Sequence, residues 1–358
     1  MKIGFFVAII CITFFTSSQF VLADQERYRL EPLFEMNVGT EVGQFGLYFM
    51  PQPFSGNVEK KMVFYAGRPW IRIDNSGNFY FMNQWKNIVK LNSKGEVMNQ
   101  IFGDDGFTRP GRIDLDKWDN LYVWFRNEAN IVREMRYQVA KFDKDGNLLS
   151  WIKNPQTKEP FERGYVRKVS INGTIFVCTG EEGDYKILKF DKDGNYLDLV
   201  NFPSAAEEGA DGNIYVIDKQ VKKYIDYNGR LKTLRGKIAI SEKKIRAESP
   251  VVSEGFDVHN NIYFDLRLGY KEIELPEFKL AVSDLSIPKM VIKYDFSHDK
   301  YDTLICESLM KKDSEYEATG ILKNYQGDIY EIRIFYNKPR EVTTKDYVRI
   351  YKWVKVEE

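Results

Sequence analysis

The chain has 358 residues with 52 basic and 52 acidic side chains, a formal net charge of zero. That balance argues against a nucleic-acid partner, which rewards a basic excess. Aromatic residues are abundant, with 22 Tyr and 25 Phe, and such side chains suit the half-buried faces of sheets.

The first 23 residues differ in kind from the rest. Lys2 gives a positive start, Ile3 to Phe15 is almost wholly apolar, and Val21-Leu22-Ala23 offers small residues after a polar step. This is the layout of a secretory signal peptide, with cleavage expected after Ala23. The apolar run is short for an uncleaved membrane anchor. The expectation is therefore an exported chain, periplasmic or extracellular, soluble and without a membrane span once the signal is removed. Residues 24–358 are read as one domain and a monomer. Of the cysteines beyond the signal, Cys178 and Cys306 fall in non-neighbouring units of the repeat described next. Both are read as buried fillers rather than a bonded pair.

One phrase recurs along the chain: an Asp/Asn/Gly turn, an apolar residue, then an aromatic. It appears as Asn75-Ser76-Gly77-Asn78-Phe79-Tyr80 and Lys117-Trp118-Asp119-Asn120-Leu121-Tyr122. It returns as Asn172-Gly173-Thr174-Ile175-Phe176 and Asp211-Gly212-Asn213-Ile214-Tyr215. The last copies are His259-Asn260-Asn261-Ile262-Tyr263 and Gln326-Gly327-Asp328-Ile329-Tyr330. The copies are anchored at positions 78, 120, 174, 213, 261 and 328, at intervals of 42, 54, 39, 48 and 67. A common core of about forty residues matches a four-stranded propeller blade.

A second phrase follows. It reads Val89-Lys90-Leu91-Asn92-Ser93-Lys94-Gly95, then Ala140-Lys141-Phe142-Asp143-Lys144-Asp145-Gly146-Asn147, then Leu188-Lys189-Phe190-Asp191-Lys192-Asp193-Gly194-Asn195. Each is an alternating strand running into a hairpin turn. A unit is thus strand a, tight turn, strand b, loop, strand c, tight turn, strand d. With both phrases in place, residues 34 to 358 resemble the NHL-type family of six-bladed β-propellers. The expected fold is all-β: six four-stranded antiparallel blades. Tyr347 to Val356 reads as a strand c with no strand d after it. Residues 30–38 are therefore expected to supply the outer strand of the last blade and close the ring, which removes an open edge.

Asp143 to Asn147 and Asp191 to Asn195 have the look of calcium loops. A calcium loop places Gly sixth and a bidentate Glu twelfth, whereas here Gly is fourth and no such Glu follows. They read as tight turns built on Asp and Asn. The resemblance implies enzymatic relatives among lyases and lactonases, and for the lyases histidines near the central channel would be expected. His259 and His298 instead fall in tight turns. No cofactor, metal set or catalytic set is assigned. A calcium-dependent lactonase or other metal-dependent hydrolase or lyase, with its site at the channel mouth, stays open as the alternative.

The long insertions, at 39–69, 152–165, 235–253 and 307–319 between strands d and a, and at 126–137, 266–289 and 336–345 between b and c, all fall on one face. They carry Tyr48, Phe49, Phe54, Arg133, Arg136, Tyr137, Phe161, Arg163, Arg246, Arg267 and Tyr270. Aromatic and Arg side chains on loops are typical binding anchors. On the innermost strand, Ile71, Ile73, Ile113 and Leu115 share one parity. Arg72, Arg112, Asp114, Lys168 and Glu207 take the other and are expected to lean towards the channel, where mixed signs favour mutual pairing. The functional expectation is a non-catalytic binding or scaffold protein of the cell envelope or exterior, engaging a protein or envelope ligand through the long-loop face.

Overall fold

The computed structural model describes residues 25–39, 44–46, 48–50, 61–63, 71–83, 87–103, 107–127, 136–162, 165–180, 186–200, 206–217, 222–225, 231–233, 255–266, 289–295, 298, 300–306, 316–335 and 347–357. The signal segment lies outside them. Every regular element among the described residues is a strand, and no helix there is long and apolar enough to cross a membrane.

The chain opens with β1 (Gln25–Gly39), β2 (Phe45–Gly46), β3 (Tyr48–Met50) and β4 (Lys61–Val63). The first sheet holds β5 (Ile71–Ile73), β6 (Phe79–Asn83), β7 (Asn87–Leu91) and β8 (Val97–Phe102). The second holds β9 (Arg109–Leu115), β10 (Leu121–Arg126), β11 (Arg136–Phe142) and β12 (Leu148–Ile152), with β13 (Phe161–Glu162) added to β11. The third is β14 (Tyr165–Val169), β15 (Ile175–Thr179), β16 (Lys186–Phe190) and β17 (Tyr196–Val200). The fourth is β18 (Ala206–Glu208), β19 (Ile214–Ile217), β20 (Lys222–Ile225) and β21 (Leu231–Thr233). Then come β22 (Asn261–Leu266), β23 (Lys289–Asp295) and β24 (Lys300–Cys306), followed by β25 (Tyr316–Lys323), β26 (Ile329–Phe335) and β27 (Tyr347–Lys355). Within each group neighbours in sequence are antiparallel neighbours in space, the meander from which propeller blades are made.

Two features go beyond the sequence expectation. β1 begins at Gln25, five residues earlier than expected, and runs antiparallel to β27 from Tyr28 opposite Lys355 to Asn37 opposite Tyr347. Its first residues also pair in parallel with β24, Gln25 opposite Thr303 through Tyr28 opposite Cys306. The segments expected as plain connections contain strands of their own. β2 pairs with β1, β3 with β4, and β13 with β11.

Successive sheets pack face to face because each strand sends alternate side chains to opposite neighbours. Phe79 faces the last sheet, where it meets Tyr330, Ile332 and Val348, while Tyr80 faces Ile113 and Val123 of the second. Tyr122 and Val139 continue onto Val169 and Ile175 of the third sheet, and Phe176 and Ile187 onto Ile214 of the fourth. Tyr263 and Val291 meet Ile321 and Ile329 in the same way. Each such buried side chain contributes about 1.5–3 kcal/mol. Cys178 and Cys306 are both buried and neither is in a disulfide.

The a–b turns are linked from sheet to sheet. Asn75 Nδ2 donates to the Lys117 carbonyl (3.0 Å), Lys117 Nζ to Asn172 Oδ1 (2.9 Å) and Asn172 Nδ2 to the Gly209 carbonyl (2.9 Å). Further on, Ala210 N donates to Asn260 Oδ1 (3.0 Å) and Val258 N to the Tyr325 carbonyl (2.9 Å). At the position where most copies carry glycine, Asp119 and Asn260 adopt φ of 66° and 63°. Asp119 Oδ1 accepts from Asn75 N just as Asn260 Oδ1 accepts from Ala210 N. The left-handed backbone cost is offset there by a side chain that reaches back to the preceding sheet.

Candidate functional site

The first strands of successive sheets lie side by side, β25 against β5, β5 against β9 and β9 against β14. At one ladder position they carry Arg72 opposite Tyr80, Asp114 opposite Tyr122, Lys168 opposite Phe176 and Glu207 opposite Tyr215. Charge therefore alternates in sign across four consecutive sheets. Arg72 crosses from the first sheet to Asp114, placing Nε at 3.1 Å and Nη2 at 2.6 Å from Oδ1, while its Nη1 donates to the Ile71 carbonyl. Arg112 Nε meets the other oxygen, Oδ2, at 3.0 Å. Burial alone would push the Asp114 carboxyl up. The Arg112 and Arg72 guanidiniums, with Lys168 behind them, outweigh that and hold it below the usual carboxylate range. Arg72, Arg112 and Asp114 thus pair with one another, and the Glu207 side chain lies outside the described residues.

At the b–c end of the second sheet, Trp124 and Tyr137 stack with ring centroids 4.8 Å apart and planes at 20°. Arg136 Nη1 pairs with Glu162 Oε1 at 2.9 Å, both partly exposed, and β13 brings that glutamate there by pairing with β11. A second cluster of the same character stands at the b–c end of the last sheet. Phe335 and Tyr347 stack at 4.7 Å and 5°, and the Arg349 guanidinium lies 5.2 Å and 5.6 Å from their centroids. Arg349 also pairs with Glu35 of β1. These are partly exposed aromatic and guanidinium groups, able to stack and to donate.

Of the residues expected on the long-loop face, Arg136 and Tyr137 are at this end of the second sheet. Phe161 is corrected. Only 1% exposed, it packs edge-on against Phe190 and belongs to the core between the second and third sheets. Tyr48 and Phe49 fall in β3, but their side chains lie outside the described residues, as do Phe54, Arg133, Arg163, Arg246, Arg267 and Tyr270 altogether. Trp124, Phe335, Tyr347 and Arg349 were not singled out in the sequence. They sit inside strands, where an aromatic reads as core. The one signal was Gly111, an interruption of β9 that marks close approach.

The Asp-rich turns engage their own chain. Asp143 Oδ1 accepts from Asp145 N and Asn147 N, and Oδ2 from Asn147 Nδ2; Asp191 does the same one sheet on. Asp74, Asp116 and Asp257 repeat the pattern in the a–b turns. Asp116 and Asp257 also accept strongly from Tyr122 (3.0 Å) and Tyr263 (2.9 Å). Burial and these carboxylates push both phenols far up. Among the described residues, no group of three or more His, Cys, Asp or Glu is placed to hold a metal ion. His259 sits in the turn before β22 and the exposed His298 in the turn before β24, where its Nδ1 meets Asp295 Oδ2 at 2.7 Å.

No family model matches the chain, and no curated protein matches it. Among solved structures it is similar to a streptogramin B lyase (15% identity over 91% of this chain and 98% of that one, TM-score 0.42). It is also similar to a putative TolB from Agrobacterium tumefaciens (10%, 66% and 79%, TM-score 0.39) and to an oligogalacturonate lyase in complex with manganese (7%, 84% and 82%, TM-score 0.41).

Proposed function

We propose that the chain is a six-bladed propeller of NHL-like repeats whose last blade is completed by β1. It acts as an exported, non-catalytic binding protein of the cell envelope or exterior. Its ligand, a protein or envelope component, docks on the face that carries the b–c and d–a connections. The observation that carries this reading is the pair of partly exposed aromatic–arginine clusters, Trp124/Tyr137/Arg136 and Phe335/Tyr347/Arg349, at that end of two sheets. Anchors of this kind dominate interface energetics. The opposite, tight-turn face spends its carboxylates on backbone amides and its side-chain amides on neighbouring turns. The test is affinity capture from the native envelope fraction with wild type and an Arg133→Glu/Arg136→Glu double variant. Partners recovered with wild type and lost with the variant are expected; equal recovery by both would sink the reading.

A further inference from the structure

The second sheet carries on one face two side chains, Arg112 and Trp124, with donor nitrogens that meet no acceptor among the described residues. Arg112 touches Asp114 through Nε alone, so its terminal nitrogens are uncommitted, and its side chain is 27% exposed. Directly opposite it in the β9–β10 ladder stands Trp124. Its indole Nε1 is buried and donates to nothing. Directly opposed side chains stand about 4.5–5.5 Å apart at Cβ, within mutual reach.

The local backbone is shaped around this pair. The ladder passes from Arg112 opposite Trp124 to Pro110 opposite Phe125, leaving Gly111 as the extra residue of a bulge. A Cβ on Gly111 would lie 2.4 Å from the Trp124 ring, so only glycine lets the indole lie across the strand. Tyr137 stacks on the same ring and holds it in place. Arg72 claims Asp114 Oδ1 through two nitrogens, so the carboxylate that Arg112 touches is shared with a second guanidinium. Two donors side by side, one of them cationic, are what a carboxylate or phosphate group needs.

We propose that Arg112 and Trp124 form an oxyanion-binding subsite at the inner edge of the second sheet, taking a carboxylate or phosphate group of a ligand. This does not depend on the partner-binding reading above, since it concerns a small group bound by one sheet. The test follows the indole resonances of the full chain in 1H–15N spectra, with the Trp124 signal identified by its loss in Trp124→Phe. Inorganic phosphate and succinate are titrated separately, each against sodium chloride at equal ionic strength. A saturable shift of the Trp124 indole signal is expected. Saturation by phosphate alone assigns a phosphate group, by succinate alone a carboxylate, and by both a general oxyanion site. Arg112→Gln should weaken the response about tenfold or more, the size of one charge-assisted hydrogen bond, and Arg112→Lys should fall between. No saturable shift with either anion, or the same affinity in both Arg112 variants as in wild type, overturns the proposal.

Discussion

Lys90 Nζ donates to the main-chain carbonyl of Lys144, 2.7 Å away in the next sheet. It also lies 3.6 Å from Asp74 Oδ2 and 5.0 Å over the ring of Tyr80. One sheet further on, Lys141 donates to the Lys192 carbonyl at 2.7 Å above the ring of Tyr122. The lysine of the second sequence phrase is thus a strut between sheets.

Replacing Lys90 by Met keeps the apolar stem and removes the donor. The Lys144 carbonyl is then left with the long Tyr80 hydroxyl contact at 3.4 Å. The expected loss is about 1–3 kcal/mol, with a similar loss for Lys141→Met. The two costs should add within about 0.5 kcal/mol, since the struts sit at different junctions. Denaturant unfolding of the single and double variants measures this, and unchanged midpoints would remove the struts as stabilising contacts.

Asp116→Asn should destabilise nearly as much as Asp116→Ala, by about 2 kcal/mol or more. The Oδ2 oxygen accepts from both Asn120 Nδ2 (2.8 Å) and Tyr122 Oη (3.0 Å), and an amide nitrogen in its place would face two donors. A thermal midpoint for the Asn variant close to wild type would contradict this account of the turn.

Gly212 and Gly327 occupy the same position of two a–b turns, with φ of 80° and 89°. A Cβ on Gly212 meets nothing within 4 Å, whereas one on Gly327 would lie 2.5 Å from the Tyr263 hydroxyl. Gly212→Ala should therefore cost only the backbone penalty of about 1–2 kcal/mol. Gly327→Ala should cost clearly more, because Tyr263 must also give up its 2.9 Å bond to Asp257. Equal losses in parallel melts would refute the steric argument.

Glu208 gives a pH signature. Burial pushes its carboxyl above the usual 4.5; hydrogen bonds from Thr174 and Asn172 and the charge of Lys189 only partly oppose this. With the folded value raised, its favourable contribution is present below the unfolded value and fades as pH rises through the folded one. Glu208→Gln cannot ionise, so its stability relative to wild type should rise as pH climbs from about 4.5 to neutral. A difference that stays flat across that range would show that the Glu208 carboxyl titrates alike in the folded and unfolded chain.

Much of this was legible in sequence. The Asn/Gly turns and alternating strands gave the sheet order, and Leu33 to Val38 revealed a strand that belongs with the last sheet. The inter-sheet contacts were not, for physical reasons. The partner of Lys90 is a carbonyl, which has no residue-type signature. Glu208 is buried one position before Gly209, where three other copies have the turn aspartate (Asp74, Asp116 and Asp257), and it bonds instead to Asn172 and Thr174 of the preceding sheet. A one-residue shift of this kind breaks the repeat pattern without breaking the contact. Phe161 was misread because the two-residue strand that buries it is too short to show any periodicity.

The pairing of β1 with β27 also bears on how the molecule is assembled in time. Val356 N donates to the Arg27 carbonyl, joining positions at opposite ends of the described chain. Apart from the two positions it shares with β2, β1 has no strand partner until β24 and β27, far along the chain, have been made. Contacts of such sequence separation are slow to form and leave strand edges exposed meanwhile. Nascent chains should therefore depend on holding factors until β27 has been made, and deletion of residues 1–38 should yield protein that associates through the bare edge of β27, visible as higher-mass species on gel filtration. A monomeric, fully stable truncation would show instead that the remaining sheets need no such fastening.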